Sequence, residues 1–242
     1  MSPPLPDIVY LVGPGGEHMD ELRHSLRSVA ANVPHGRVWI VGHKPAWVVN
    51  VGHVKTEPPS AGPQRRYRGA YANWVAALNH SGIADDFLLF NDDFFAMQPE
   101  PPTGPTHLGA LADMAETRRR EGSEYVAGLT TAAAWLKAHG CALPLAYETH
   151  QPLPVRRPDA LAILGQLDGS ARDWGWNQRS VYANFADIGG RWAEDVKARG
   201  ATAQVPHGPW LSTGPASWRG TAGRSVRATF DKPCGYERAA RG

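Results

Sequence analysis

Phe87-Leu88-Leu89-Phe90-Asn91-Asp92-Asp93 joins four apolar residues to an amide and two carboxylates. Four consecutive apolar residues read as a short strand buried on both faces, the pattern of a parallel sheet. In open α/β sheets, ligands bind outside the carboxyl ends of such strands. Asn91, Asp92 and Asp93 stand at that end. Two adjacent carboxylates are costly to bury without partners. A Mg²⁺ or Mn²⁺ ion bridging them to a pyrophosphate would compensate their charge. The alternative is an exposed Asn-Asp-Asp turn between two strands.

The flanking sequence supports a layered α/β fold. Asp7-Ile8-Val9-Tyr10-Leu11-Val12 reads as a buried first strand running into Gly13-Pro14-Gly15-Gly16, a turn whose backbone can approach a ligand closely. Its spacing is neither GxGxxG nor Walker A, so it supports neither a dinucleotide fold nor a P-loop. Leu22, Leu26, Val29 and Val33 recur at helical spacing, with Asp20 and Glu21 in the first turn. They predict a helix over 19–32, ended by Pro34. Arg37–Gly42 and Val51–Lys55 read as further strands, and Tyr67–His80 as a helix with Tyr71, Trp74, Val75 and Leu78 inward. This alternation predicts a mostly parallel central sheet flanked by helices, of Rossmann-like type. Pro58 to Pro63 reads as a loop. Residues 109–139 read as helical, with Arg118-Arg119-Arg120 on a solvated face. A strand is expected at Leu145–Glu148, leading to His150, then helices near 158–167 and 178–187. After 206 the chain is rich in Gly, Pro, Ser and Arg and reads as an irregular tail. No linker divides it, so 1–242 reads as one domain.

Composition removes several function classes. A net charge of +2 gives no strong field for nucleic acid. No apolar run approaches the ~20 residues of a membrane span, and Met1-Ser2-Pro3-Pro4-Leu5-Pro6 lacks the features of a signal peptide. Cys141 and Cys234, far apart and without CxxC spacing, fit neither a cysteine-type zinc site nor a disulfide framework; a cytoplasmic protein with reduced thiols is expected. His43, His53 and His207 have no metal-ligand spacing, and the absence of a Gly-x-Ser-x-Gly elbow speaks against acyl transfer. The nine tryptophans fit either core packing or sugar stacking.

Several motifs in series narrow the reading. Glu21-Leu22-Arg23-His24-Ser25-Leu26-Arg27-Ser28-Val29 is followed by Val38-Trp39-Ile40-Val41-Gly42, Lys44-Pro45-Ala46-Trp47 and Ile83 to Asp93. In that order they resemble the second conserved region of the Stealth family. That family includes capsular-polysaccharide phosphotransferases and the N-acetylglucosamine-1-phosphotransferase catalytic subunit. His150-Gln151-Pro152-Leu153-Pro154-Val155-Arg156-Arg157 resembles the family's third region, with Arg179 at the place of its essential arginine. Phe230-Asp231-Lys232-Pro233-Cys234-Gly235-Tyr236-Glu237 is similar to the closing element. Asp7-Ile8-Val9-Tyr10 matches the start of the first region, but Pro14 stands where the family has an aspartate, and Tyr67 to Trp74 departs from the segment that usually ends in Ile-Glu.

The resemblance implies a GT-A-like nucleotide-sugar transferase, with residues 1–100 holding the donor and 101–242 the acceptor and catalytic groups. Asp92 and Asp93 would hold Mg²⁺ or Mn²⁺, Arg179 would grip the transferring phosphate as a fork, and His150 would be general base. Asp7, Tyr10, Gly13, Gly15, Arg23, Arg27 and Asn91 would contact the nucleotide-diphosphate sugar, with surface salt bridges as the alternative for Arg23 and Arg27. The acceptor would be a glycan or protein hydroxyl. Three readings stay open: sugar-1-phosphate transfer, true glycosyl transfer, and a binding protein that has lost catalysis.

Overall fold

The computed structural model describes residues 4–57, 59, 65–118, 123–167, 177–205 and 207–239. Its strands are β1 (Asp7–Val12), β2 (Val38–Gly42), β3 (Gly52–Val54), β4 (Asp86–Phe90), β5 (Phe94–Ala96), β6 (Thr106–His107), β7 (Leu153–Arg156), β8 (Arg191–Trp192) and β9 (Trp210–Ser212). The described helices are α1 (Asp20–Asn32), α2 (Arg65–Asn79), α3 (Leu111–Thr117), α4 (Ser123–Ala138), α5 (Arg157–Leu164), α6 (Gln178–Phe185), α7 (Pro215–Arg219) and α8 (Thr221–Thr229).

The central sheet has the order β3-β2-β1-β4-β7. β1 pairs in parallel with β2 and β4, and β2 with β3, whereas β7 lies antiparallel to β4. The mixed α/β architecture with a mostly parallel sheet is therefore the one expected. Residue parity divides its two faces, because successive side chains of a strand point oppositely. Ile8, Tyr10, Val12, Ile40, Leu88 and Phe90 pack with Leu22, Leu26 and Val29 of α1. Val9, Trp39, Val41, Phe87 and Leu89 pack on the other face with Trp74, Ala77 and Leu78 of α2 and residues of α4, α5 and α6. Val33, caught before Pro34, is extended and caps α1 through its N–H to Val29 O. Val75 is half-buried rather than a core position.

Two expectations are corrected. Leu145–Glu148 is not a strand of the sheet; Leu145 makes only an isolated bridge to Ala110, and Ala146 and Tyr147 are buried in the core. The place beside β4 is taken by Leu153–Arg156, and Pro154 is tolerated there because β7 is an edge strand. The segment after 206 is not irregular either. It supplies β9, which pairs with β5, and helices α7 and α8. Ala222, Val226 and Phe230 of this region close a third core cluster with Phe95 and Leu211. The two proposed halves share the central sheet, since β7 completes it from beyond residue 100. Residues 58, 60–63, 119 and 120, part of the expected loop and arginine patch, lie outside the described residues.

Candidate functional site

The parallel strands end together at Val12, Gly42 and Phe90, and the chain leaves each through a turn. Gly42 has φ +108°, and a Cβ there would lie 2.1 Å from Val12 O, so glycine is required where β2 leaves the sheet. A cleft of about 1390 Å³ opens over these ends. Gly13, Pro14 and Gly15 line it from β1, and Asn91 and Asp92 from β4. Glu148 and His150 enter from the segment before β7, Arg179 from α6, and Lys197 and Arg199 from the segment after β8. Sheet topology thus brings Gly13, Gly15, Asn91, Asp92, His150 and Arg179 into one cleft.

The two aspartates are not equivalent. Asp92 lines the cleft, and its carboxyl is pushed up to about 7, first by burial and then by the neighbouring charges of Asp93 and Glu21. Asp93 is partnered: its Oδ2 accepts from Lys197 Nζ at 2.9 Å and Ser212 Oγ at 3.1 Å. Glu21 accepts from Thr213 Oγ1 at 2.7 Å, yet burial still raises its carboxyl. Three acids therefore crowd one end of the cleft, with a lysine covering one of them. Among the described residues no group of three or more His, Cys, Asp or Glu side chains is arranged to hold a metal ion. The crowding itself fits a cation bound jointly with phosphate oxygens, because added positive charge would relieve the like-charge cost at Asp92. Asp93 could join such a site only by giving up Lys197.

Arg179 is buried, with its guanidinium 5.1 Å from the centre of the Phe94 ring. Its Nη1 donates to Gln151 O at 2.9 Å and its Nη2 to Leu89 O at 3.2 Å. Burial pushes its pKa down to about 10, against the opposing influence of Glu148 and Asp93. Each terminal nitrogen thus gives one N–H to a backbone carbonyl, so the arginine locks strand β4 to the His150 segment and offers the cleft a fixed charge. Glu148, raised by burial, accepts from Ser180 N and Oγ, both at 3.2 Å, on the same helix as Arg179. His150 Nδ1 lies 2.7 Å from Asp195 Oδ1, and its ring meets Phe94 edge-on at 6.4 Å.

Four expected donor contacts fall elsewhere. Asp7 stands at the start of β1, five residues and ~16 Å along the strand from the cleft. Its carboxylate accepts from Arg37 N, Trp39 Nε1 and Ala84 N at the opposite, amino-terminal end of the parallel strands. Tyr10 is fully buried against α1, with its hydroxyl 2.9 Å from Ser25 Oγ. Tyr10 lies two residues before the strand end, has no exposed surface and does not line the cleft. Arg23 Nη1 donates to Glu237 Oε2 at 3.1 Å, and its guanidinium lies over Trp47. Arg27 forks onto Glu237 through Nε at 2.6 Å and Nη2 at 2.9 Å. Both arginines anchor the closing Tyr236-Glu237 element onto α1 rather than meeting phosphate. Arg118, expected on a solvated face, is instead largely covered and donates to Asp195 Oδ2 at 3.1 Å.

Sequence reasoning missed Asp195 and Lys197 as site residues. Nothing in their immediate surroundings distinguishes them from other charges, because their partners lie 45 and 104 residues away. Glu21 was visible only as a helix-start acid.

No protein-family model and no curated protein sequence matches the chain. Among solved structures the chain is similar to the apo-form glycosyltransferase GlyE of Streptococcus pneumoniae TIGR4, at 10% identity and a TM-score of 0.35. The match covers 79% of this chain and 45% of that one, so this chain spans less than half the length of that protein.

Proposed function

We propose that this protein is a nucleotide-sugar-dependent transferase of GT-A-like type, moving a sugar-1-phosphate from a nucleotide-diphosphate sugar to a hydroxyl of a glycan or protein acceptor. One observation carries the reading. A single cleft at the carboxyl ends of parallel strands collects a glycine-rich turn, an acid with its carboxyl pushed to about 7, a histidine and a buried arginine. The motif resemblance to the Stealth family supports the same reading.

The residues divide the work. The N–H groups of Gly13 and Gly15 would meet the donor's diphosphate. His150 would take the proton from the acceptor hydroxyl as its oxygen attacks the β-phosphorus. The bond from that phosphorus to the α–β bridging oxygen breaks, and a nucleoside monophosphate leaves. Arg179, held by two carbonyls, would supply preorganised positive charge to the phosphoryl oxygens without reorienting. Asp92, with Asp93 once freed of Lys197, would hold Mg²⁺ or Mn²⁺. The ion, when bound, would neutralise diphosphate charge. Among the described residues no helix is long and apolar enough to cross a membrane.

Arg179 also fits a second reading. Its charge, fixed in the cleft by two backbone carbonyls, could equally stabilise a leaving nucleoside diphosphate in glycosyl transfer at the anomeric carbon. The released nucleotide decides. Incubation with a panel of nucleotide-sugars, Mn²⁺ or Mg²⁺ and hydroxyl acceptors is expected to yield nucleoside monophosphate. Diphosphate would establish glycosyl transfer instead, and donor binding without either product would leave only a binding protein.

A further inference from the structure

We infer that Asp195 is a positioning residue that fixes the tautomer of His150, keeping the proton on Nδ1 and the lone pair on Nε2. Asp195 Oδ1 lies 2.7 Å from His150 Nδ1 and also accepts from Lys197 N at 3.2 Å. Its Oδ2 accepts from Arg118 Nη2 at 3.1 Å and Arg199 Nη2 at 2.9 Å. Burial opposes ionisation here, but the contacts from His150, Arg199 and the Lys197 N–H outweigh it and hold the carboxyl well below the usual carboxylate range. A carboxylate that stays ionised can only accept, so the hydrogen bond to His150 must run from Nδ1–H. Nε2 has no hydrogen-bond partner among the described residues, and His150 lines the cleft. With its proton on Nδ1, the imidazole has one free lone pair, on Nε2, available to a substrate proton.

The chain around Asp195 is itself pinned. Ala193 N donates to His107 O at 3.0 Å, and Ala198 N to Ser212 O at 2.8 Å. Two arginines surrounding the carboxylate also settle its job. Taking a proton from His150 would strip them of their counter-charge, so Asp195 orients the ring and stabilises the imidazolium but does not relay the proton. Two residues on, Lys197 bonds Asp93, so this short segment sets both the base and one of the paired acids. The catalytic use of the tautomer rests on the transferase reading; the tautomer itself does not.

The test is ¹⁵N NMR of the protein with labelled histidine, followed with rising pH until the histidine shifts reach their alkaline plateau. His150 is identified by the cross-peaks lost in His150→Gln. The expected spectrum shows Nδ1 with an N–H type shift and Nε2 with a lone-pair type shift. In Asp195→Asn the amide oxygen stays with the two arginines, so the amide N–H₂ takes the place of Oδ1, gives up the single Lys197 N–H contact and donates to Nδ1, and the proton moves to Nε2. The same variant is expected to lose kcat 100-fold or more with KM within about twofold, and Asp195→Glu to recover part of that loss. A wild-type proton on Nε2, or a tautomer unchanged in Asp195→Asn, overturns the inference. If Asp195→Asn fails to fold, the wild-type spectrum still decides. If wild-type protein turns over no nucleotide-sugar, the transferase reading falls while the shifts still decide the tautomer.

Discussion

Glu237 and Asp92 are both acids close to helix α1, and the fold treats them oppositely. Glu237 receives the Arg27 fork and the Arg23 guanidinium; burial opposes its ionisation, but these contacts prevail and hold it below the usual carboxylate range. Asp92 has no such fork, faces Asp93 and Glu21, and is pushed to about 7. One carboxylate has been spent on joining the C-terminal element to the first helix. The other is left electrostatically unsatisfied at the edge of a cleft. A charge that the protein completes itself is structure, and a charge that it leaves incomplete is where a ligand gains the most.

The largest expected effect breaks the cleft side of this contrast. His150→Ala and Asp93→Asn should each cut turnover by 100- to 10,000-fold, measured with the donor that proves active; full activity in either variant removes that residue's role. Next, Arg27→Ala should lower the urea unfolding free energy by about 2 kcal/mol, since Glu237 loses its fork and keeps only Arg23 and the Cys234 N–H. Donor binding by calorimetry should be unchanged, and a matching loss of binding would return Arg27 to the site.

Asp92 offers a test with a definite sign. Its folded pKa lies above the unfolded value of about 3.9, so the native state binds the extra proton and stability falls as pH rises from about 4 to 7. Asp92→Asn should therefore be more stable than wild type by on the order of 2 kcal/mol at pH 8, with the gap closing near pH 4. Thermal unfolding at both pH values checks this, and a gap independent of pH would refute the crowding. The smallest effect is expected at the exposed Arg156–Asp159 pair, where Arg156→Gln should change stability by less than ~0.5 kcal/mol. A larger loss would show that pairing alone, without burial, creates structural charge.

Much of the first hundred residues could be read in advance. The apolar run at Phe87 to Phe90, the strand at Asp7 to Val12 and the periodicity of Leu22, Leu26 and Val29 are local patterns, and each formed the element expected. The C-terminal helix was legible but overlooked, for Ala222, Val226 and Phe230 recur every four residues and pack together. The strand beside β4 was not legible, because Pro154 argues against a strand unless its edge position is already known. Tyr10 and Arg27 were misplaced for a different reason. Residue type says that a phenol or guanidinium needs a partner, but it does not say which one.

The amino-acid sequence by itself determined the layered α/β arrangement and the position of Asn91-Asp92-Asp93 at the end of a buried strand. Those features follow from hydrophobic periodicity, which acts over a few residues. Only the tertiary structure decided that Asp93 is held by Lys197, that Arg179 is bound to Gln151 and Leu89, and that His150 leans on Asp195. These are pairings of charges and dipoles brought together from distant segments, and their strength depends on burial and geometry that no local pattern encodes.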